Sequence, residues 1–141
     1  GTAHGVRVID DYGHHPTEIQ VTLEAARRYA GDGRLIVIFQ PHRYSRTAAF
    51  ANQFSNSLAL ADFTYLLEVY AASEKPIPGV SSLLISREMK AEQVKFEPSM
   101  LQVVSDVADM AKSGDLILTL GAGDVSSLGD PILQALASRF A

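Results

Sequence analysis

Two acids, a phenol and two imidazoles fall together at Asp10-Asp11-Tyr12-Gly13-His14-His15, with Pro16-Thr17-Glu18 directly behind them. That is more hydrogen-bonding and proton-transfer capacity than a turn requires, although Asp and Gly are ordinary turn residues and His15 before Pro16 can simply cap a helix. A second polar cluster runs Gln40-Pro41-His42-Arg43-Tyr44-Ser45-Arg46-Thr47. Cations at the start of a helix sit badly with its dipole, and an anion compensates them. Arg43 and Arg46, three residues apart, are expected to share a helix face and to grip a carboxylate or phosphate bidentately. His and Asp are also ordinary zinc or manganese ligands. Against a metal, adjacent His14 and His15 diverge in direction and no pair of histidines at i and i+4 occurs on a helix, so no dedicated metal site is expected. Gly121-Ala122-Gly123-Asp124 is neither a Walker A loop nor a full dinucleotide fingerprint; a tight turn and a close backbone approach to a ligand both remain open.

These clusters need elements to hold them. Val6 to Ile9 reads as a strand, and Pro16 presets the first turn of a helix carrying Ile19, Leu23, Ala26 and Tyr29 or Ala30, which Gly31-Asp32-Gly33 ends. Leu35 to Phe39 is a continuous apolar run, the pattern of a central parallel strand covered on both faces. A helix from about residue 47 to 60 follows, with Phe50, Phe54 and Leu58 facing the sheet. Phe63 to Leu67 is a third strand, trailed by Glu68-Val69-Tyr70-Ala71-Ala72 and by a loop over 73–79 whose Pro76 and Pro78 bar regular structure. Ser81 or Ser82 is expected to cap a short helix reaching about Lys90, and Val94 to Glu97 is a short strand. Leu101, Val104, Ala108 and Ala111 mark a helix that Ser113-Gly114 terminates, and Leu116 to Leu120 is another buried strand. The closing helix begins at Asp130-Pro131 and points Leu133, Leu136, Ala137 and Phe140 inward. Strand and helix alternate, so the expected fold class is α/β: a three-layer α/β/α, Rossmann-like domain with a mostly parallel sheet. Strand carboxyl ends are where such sheets bind ligands. If the first two strands are parallel neighbours, both polar clusters share one edge.

The 141 residues suffice for one domain over 1–141 with a substantial core. Apolar residues make up 47% and charged residues 20%, a globular balance with no charge blocks or low-complexity tracts. A net charge of −4 offers no broad basic footprint for nucleic acid, so small-molecule partners are expected, with a local basic patch at His42, Arg43 and Arg46. The absence of cysteine rules out disulfides and thiolate zinc sites. With neither a membrane-length apolar run nor a signal-peptide pattern, the expected location is cytoplasmic.

The segments Asp10 to Glu18 and Phe39 to Thr47, with Glu68 to Ala72 and Gly121 to Asp124, resemble the carboxy-terminal domain of the Mur ligases, in the branch that joins L-alanine to UDP-N-acetylmuramate. The resemblance covers essentially the whole chain. It implies an ATP-dependent, ADP-forming ligase of peptidoglycan synthesis, in which the sugar's lactyl carboxylate is phosphorylated and the alanine amine attacks the acyl phosphate. It implies that a central ATPase domain, an N-terminal UDP-sugar domain and the Mg2+ ligands lie outside this chain, which alone should be inactive. By the same resemblance Asp11 contacts the ATP ribose, Tyr12 and His14 face the incoming alanine, and His42, Arg43 and Arg46 orient it. His14 is then the candidate catalytic base, since imidazole is the side chain that titrates nearest neutrality; an orienting hydrogen bond is the alternative role. Two rival readings stand beside this one: a non-catalytic nucleotide- or anion-binding α/β module, and a metal-dependent hydrolase built on His14, His15 and His42.

Overall fold

In the computed structural model, which describes residues 1–139, the two apolar strands of the interior decide the layering. β3 (Leu35–Phe39) and β6 (Leu116–Leu120) are buried at every position. Successive side chains in a strand point to opposite faces. Leu35, Val37 and Phe39 accordingly enter one core with Ile19 and Leu23 of α1 (Pro16–Ala30) and Phe54 and Leu58 of α2 (Tyr44–Leu58). Ile36 and Ile38 enter the other with Val103 and Val107 of α4 (Met100–Met110) and Ile132 and Leu136 of α5 (Gly129–Arg139). This is the expected three-layer α/β/α arrangement.

The sheet has six strands in the order β1-β2-β6-β3-β4-β5, with β2 at Val6–Asp11, β4 at Phe63–Leu66 and β5 at Val94–Phe96. All pairings are parallel except that of β1 (Thr2–Ala3) with β2. This edge strand was not anticipated; it turns back through His4 and Gly5, whose φ values of 51° and 79° suit a tight hairpin. β2 and β3 are not neighbours. β6 lies between them, pairing Asp11 with Leu120 on one side and Leu120 with Phe39 on the other. The clusters still meet at one edge, because all three strands run the same way.

Several boundaries differ from the sequence expectation. β2 extends through Asp10 and Asp11, so both acids are strand residues held in register by β6. α2 begins at Tyr44 rather than near residue 47, and Phe50, off helical geometry at φ −123°, is only half-buried. Tyr29 is exposed while Ala30 is buried. The third helix, α3 (Leu83–Ser86), stops well short of Lys90. Of the two serines expected to cap it, Ser81 accepts the Leu83 N–H at 3.2 Å, whereas the Ser82 hydroxyl donates to Leu67 O at 2.5 Å. In α4, Ala108 and the following Ala111 are buried and Val104 packs against the core as expected, Val103 and Val107 are buried with them, and Leu101 is 86% exposed. Ser99 accepts the Gln102 N–H as N-cap. In α5, Ile132 and Leu136 are the buried pair, Leu133 is half-buried and Ala137 is exposed; Phe140 lies outside the described residues.

Candidate functional site

Above the carboxyl ends of β2, β6 and β3 the chain diverges, since the helices after β2 and β3 pack on one face of the sheet and the helix after β6 packs on the other. Such a divergence opens a crevice at the sheet edge. Asp11 sits at its start and is half-buried. Its Oδ1 accepts the Gly13 N–H at 2.8 Å, which fixes the turn and leaves Oδ2 for another donor. Asp10 accepts the Thr119 hydroxyl at 2.7 Å, so the two acids are not equivalent.

The turn is pinned to α1 from behind. Glu18 Oε1 accepts the His15 N–H at 3.0 Å and the His14 N–H at 3.4 Å, taking up donors that would otherwise be unpaired at a helix start. Those two backbone bonds hold the Glu18 carboxyl below its ordinary range. His14 is half-buried and its Nδ1 lies 3.3 Å from Tyr12 O. Because a carbonyl only accepts, that contact selects the tautomer protonated at Nδ1 and frees the Nε2 lone pair. Tyr12 is 66% exposed. A shallow groove of about 590 Å³ runs along this turn, lined by Asp11, Tyr12, His14, Thr17 and Val21 among others.

From β3, His42 reaches the same edge. Its ring centroid lies 5.3 Å from that of His14 and 5.6 Å from that of Tyr70, on which it stacks. Arg46 Nη1 lies 3.2 Å from His42 Nδ1; a guanidinium only donates, so Nδ1 accepts and the proton sits on Nε2. Burial, then the electrostatic influence of His14, Arg46 and Arg43, push the His42 pKa below its ordinary value. His42 is therefore a neutral donor near neutrality.

Arg43 and Arg46 do not lie on one helix face as expected. Arg43 is the N-cap of α2, at φ 72° and ψ 139°, and only Arg46 is helical. The anion that their placement called for is in part supplied by the protein. Glu74 accepts the Ser45 N–H at 2.8 Å and the Ser45 hydroxyl at 2.5 Å, and these two bonds lower its pKa. The sequence assigns neither Glu74 nor Tyr70 a role of its own, although Tyr70 falls in the Glu68 to Ala72 segment that carries the resemblance and the length of the loop over 73–79, which holds Glu74, suggests function. They lie in a loop brought to α2 only by the β3–β4 pairing, and no local spacing announces it.

The glycine turn after β6 has a structural explanation. A side chain on Gly123 would come within 2.6 Å of both Gln40 Oε1 and Tyr70 Cγ. Gln40, only 5% exposed, accepts the Val125 N–H at 3.1 Å. The close approach is thus to the protein's own groups, and it lets the loop after β6 tuck beneath the two clusters. Among the described residues no group of three or more His, Cys, Asp or Glu side chains is placed to hold a metal ion, and no helix is long and apolar enough to cross a membrane.

Comparison with known proteins names this arrangement. The profile of the "Mur ligase, glutamate ligase domain" matches residues 1–123. The chain belongs to the Mur ligase family. This Mur ligase domain is 53% identical over 135 residues to UDP-N-acetylmuramate--L-alanine ligase of Saccharopolyspora erythraea, covering 94% of the chain and 28% of that relative. It is 51% identical over 138 residues to the ligase of the same name from Mycolicibacterium smegmatis, covering 96% of the chain and 28% of the relative. Among solved structures, UDP-N-acetylmuramate-alanine ligase of Thermotoga maritima superposes with a TM-score of 0.77 at 25% identity, over 96% of this chain and 28% of that one. The domain thus spans under a third of the length of these relatives.

Proposed function

We propose that this Mur ligase domain forms the amino-acid wall and part of the nucleotide wall of an ATP-dependent ligase joining L-alanine to UDP-N-acetylmuramate, a cytoplasmic step of peptidoglycan synthesis. The observation that carries the reading is the juxtaposition of His14, His42 and Arg46 at one sheet edge, with Arg43 beside them. A small zwitterion needs a cationic grip on its carboxylate and an acceptor near its amine. The names of the relatives supply the substrate class.

A carboxylate acylates poorly until one oxygen leaves as phosphate. In the proposed reaction the lactyl carboxylate takes the terminal phosphoryl group of ATP, giving ADP and an acyl phosphate. The alanine ammonium gives up a proton, the amine attacks the acyl carbon, and the tetrahedral adduct loses a second proton and expels phosphate to leave the amide. The contribution of this chain is positioning and proton handling. Arg43 and Arg46 hold the alanine carboxylate, the neutral His42 donates from Nε2, Tyr12 flanks the amino acid, and His14 Nε2 accepts the amine proton. Asp11 Oδ2 takes a ribose hydroxyl of ATP. Magnesium accompanies ATP in such chemistry, but the described residues do not compose a site for it.

Replacing Arg46 or Arg43 by alanine in a full-length ligase carrying this domain should raise the KM for L-alanine roughly ten- to a hundredfold, since a charge-assisted hydrogen bond to a carboxylate contributes about 1.5–3 kcal/mol. The KM for ATP should change far less. Lysine is expected to rescue only partly, because it keeps the charge without the planar fork. An unchanged alanine constant with a raised ATP constant would show that the cluster grips phosphate instead.

A further inference from the structure

We propose that Glu74 is a positioning residue of the amino-acid grip, whose carboxylate caps α2 from a distant loop and so holds Arg43 and Arg46 in place against His42. The proposal rests on the reading of this cluster as the alanine site.

Helix starts leave N–H groups unpaired, and a side chain just before the helix ordinarily takes one. α2 has no such cap: its N-cap is Arg43, whose side chain makes no capping bond. Glu74 fills the position instead, accepting from both the N–H and the hydroxyl of Ser45, the second residue of the helix. Tyr70 completes the strap. Its carbonyl accepts the Arg43 N–H at 2.8 Å, its N–H donates to Pro41 O at 2.8 Å, and its ring stacks on His42. Pro41, His42, Arg43 and Ser45 are therefore all tied to the segment 70–74.

Backbone strain gathers at the same contact. Among the described residues, four that are not glycine have positive φ, and three of them are Arg43 at 72°, Ala72 at 50° and Ser73 at 70°. Ala72 and Ser73 are the central pair of a tight turn closed by the Glu74 N–H on Ala71 O at 2.9 Å. Positive φ at both central positions defines a primed turn, which ordinarily calls for glycine or asparagine. Strained backbone of this kind persists only where surrounding contacts over-determine it, and it concentrates at functional sites. Here the turn aims the Glu74 carboxylate back at α2. The negative charge offsets two arginines crowded at the positive end of the helix dipole. With that seat taken, the first turn of α2 offers no Ser45 N–H to a substrate anion, and the guanidinium groups must hold it.

The test uses a full-length ligase carrying this domain, with Glu74→Gln, Glu74→Asp, Ser45→Ala and, as a reference, Arg46→Ala. Glu74→Gln should raise the KM for L-alanine roughly three- to tenfold, the scale of losing a helix cap, with kcat at saturating alanine and the KM for ATP near the parent values. Glu74→Asp should recover part of the loss. Hydrogen exchange over residues 43–47 should quicken in Glu74→Gln and in Ser45→Ala, and the two substitutions combined should cost less than their sum because they act through one contact. If exchange quickens and Arg46→Ala weakens alanine binding while Glu74→Gln leaves its KM unchanged, the positioning role is overturned and the alanine reading stands. Glu74→Ala removes the acceptor altogether, and an unaltered exchange rate there would show that the cap does not form. A normal alanine constant in Arg46→Ala overturns the functional reading and this role with it. Should Glu74→Gln fail to fold, Glu74→Asp and Ser45→Ala carry the same comparisons.

Discussion

His42 shows how neighbours assign a role to a side chain that sequence leaves ambiguous. Its ring is partly buried and stands beside His14 and two arginines. Burial first, and then the electrostatic influence of those neighbours, disfavour the imidazolium. The folded pKa therefore lies below the unfolded value of 6.5. Above the unfolded value both states carry a neutral ring and its contribution to stability is complete. As pH falls below 6.5 the unfolded chain binds a proton that the folded chain resists, so stability declines and is lost through the folded pKa. Following the His42 ring proton by NMR should give a midpoint below 6.5, and Arg46→Ala should move it upward without restoring it fully, because burial, the larger cause, remains. A midpoint unmoved by Arg46→Ala would mean that the guanidinium does not face the ring.

The start of α1 was legible from Pro16 at the first helical position and His15 before it, whereas the part played by Glu18, three residues beyond His15, was not assigned. Glu18 takes both the His15 and His14 N–H groups. Replacing it by alanine should lower stability by about 1 kcal/mol, in the range of other lost helix caps, which urea unfolding would register as an earlier midpoint with an unchanged slope. The same variant should loosen His14, since its backbone N–H would lose this partner. α2 was less legible, because its true start depends on Glu74, a residue on another loop, and not on anything beside Arg43. In α4 the expectation held for Ala108, Ala111 and the half-buried Val104 and failed at Leu101, because counting apolar residues admits a leucine in the first turn that the core does not reach.

At the scale of the whole chain, the site is an open edge rather than an enclosed pocket, and the domain spans 28% of the length of its Saccharopolyspora and Mycolicibacterium relatives. The 141-residue chain should consequently show a cooperative thermal transition by circular dichroism yet release no phosphate when given UDP-N-acetylmuramate, L-alanine and ATP. Calorimetry should find ATP binding weak, since in the proposed reading Asp11 reaches only the ribose. A micromolar or tighter constant would instead favour a self-sufficient nucleotide-binding module.

Residue types and periodicity alone determined the alternating α/β class, the two unbroken central strands and the two polar clusters, because burial on both sheet faces and helix-start chemistry are local demands that a sequence must satisfy in place. Only the tertiary structure decided that β6 separates β2 from β3, that His14 and His42 nonetheless meet above it, and that Glu74 serves α2 from a loop 29 residues away. Strand order and long-range caps depend on how distant segments pair. That choice is made by the free energy of the assembled core, which no window of sequence contains.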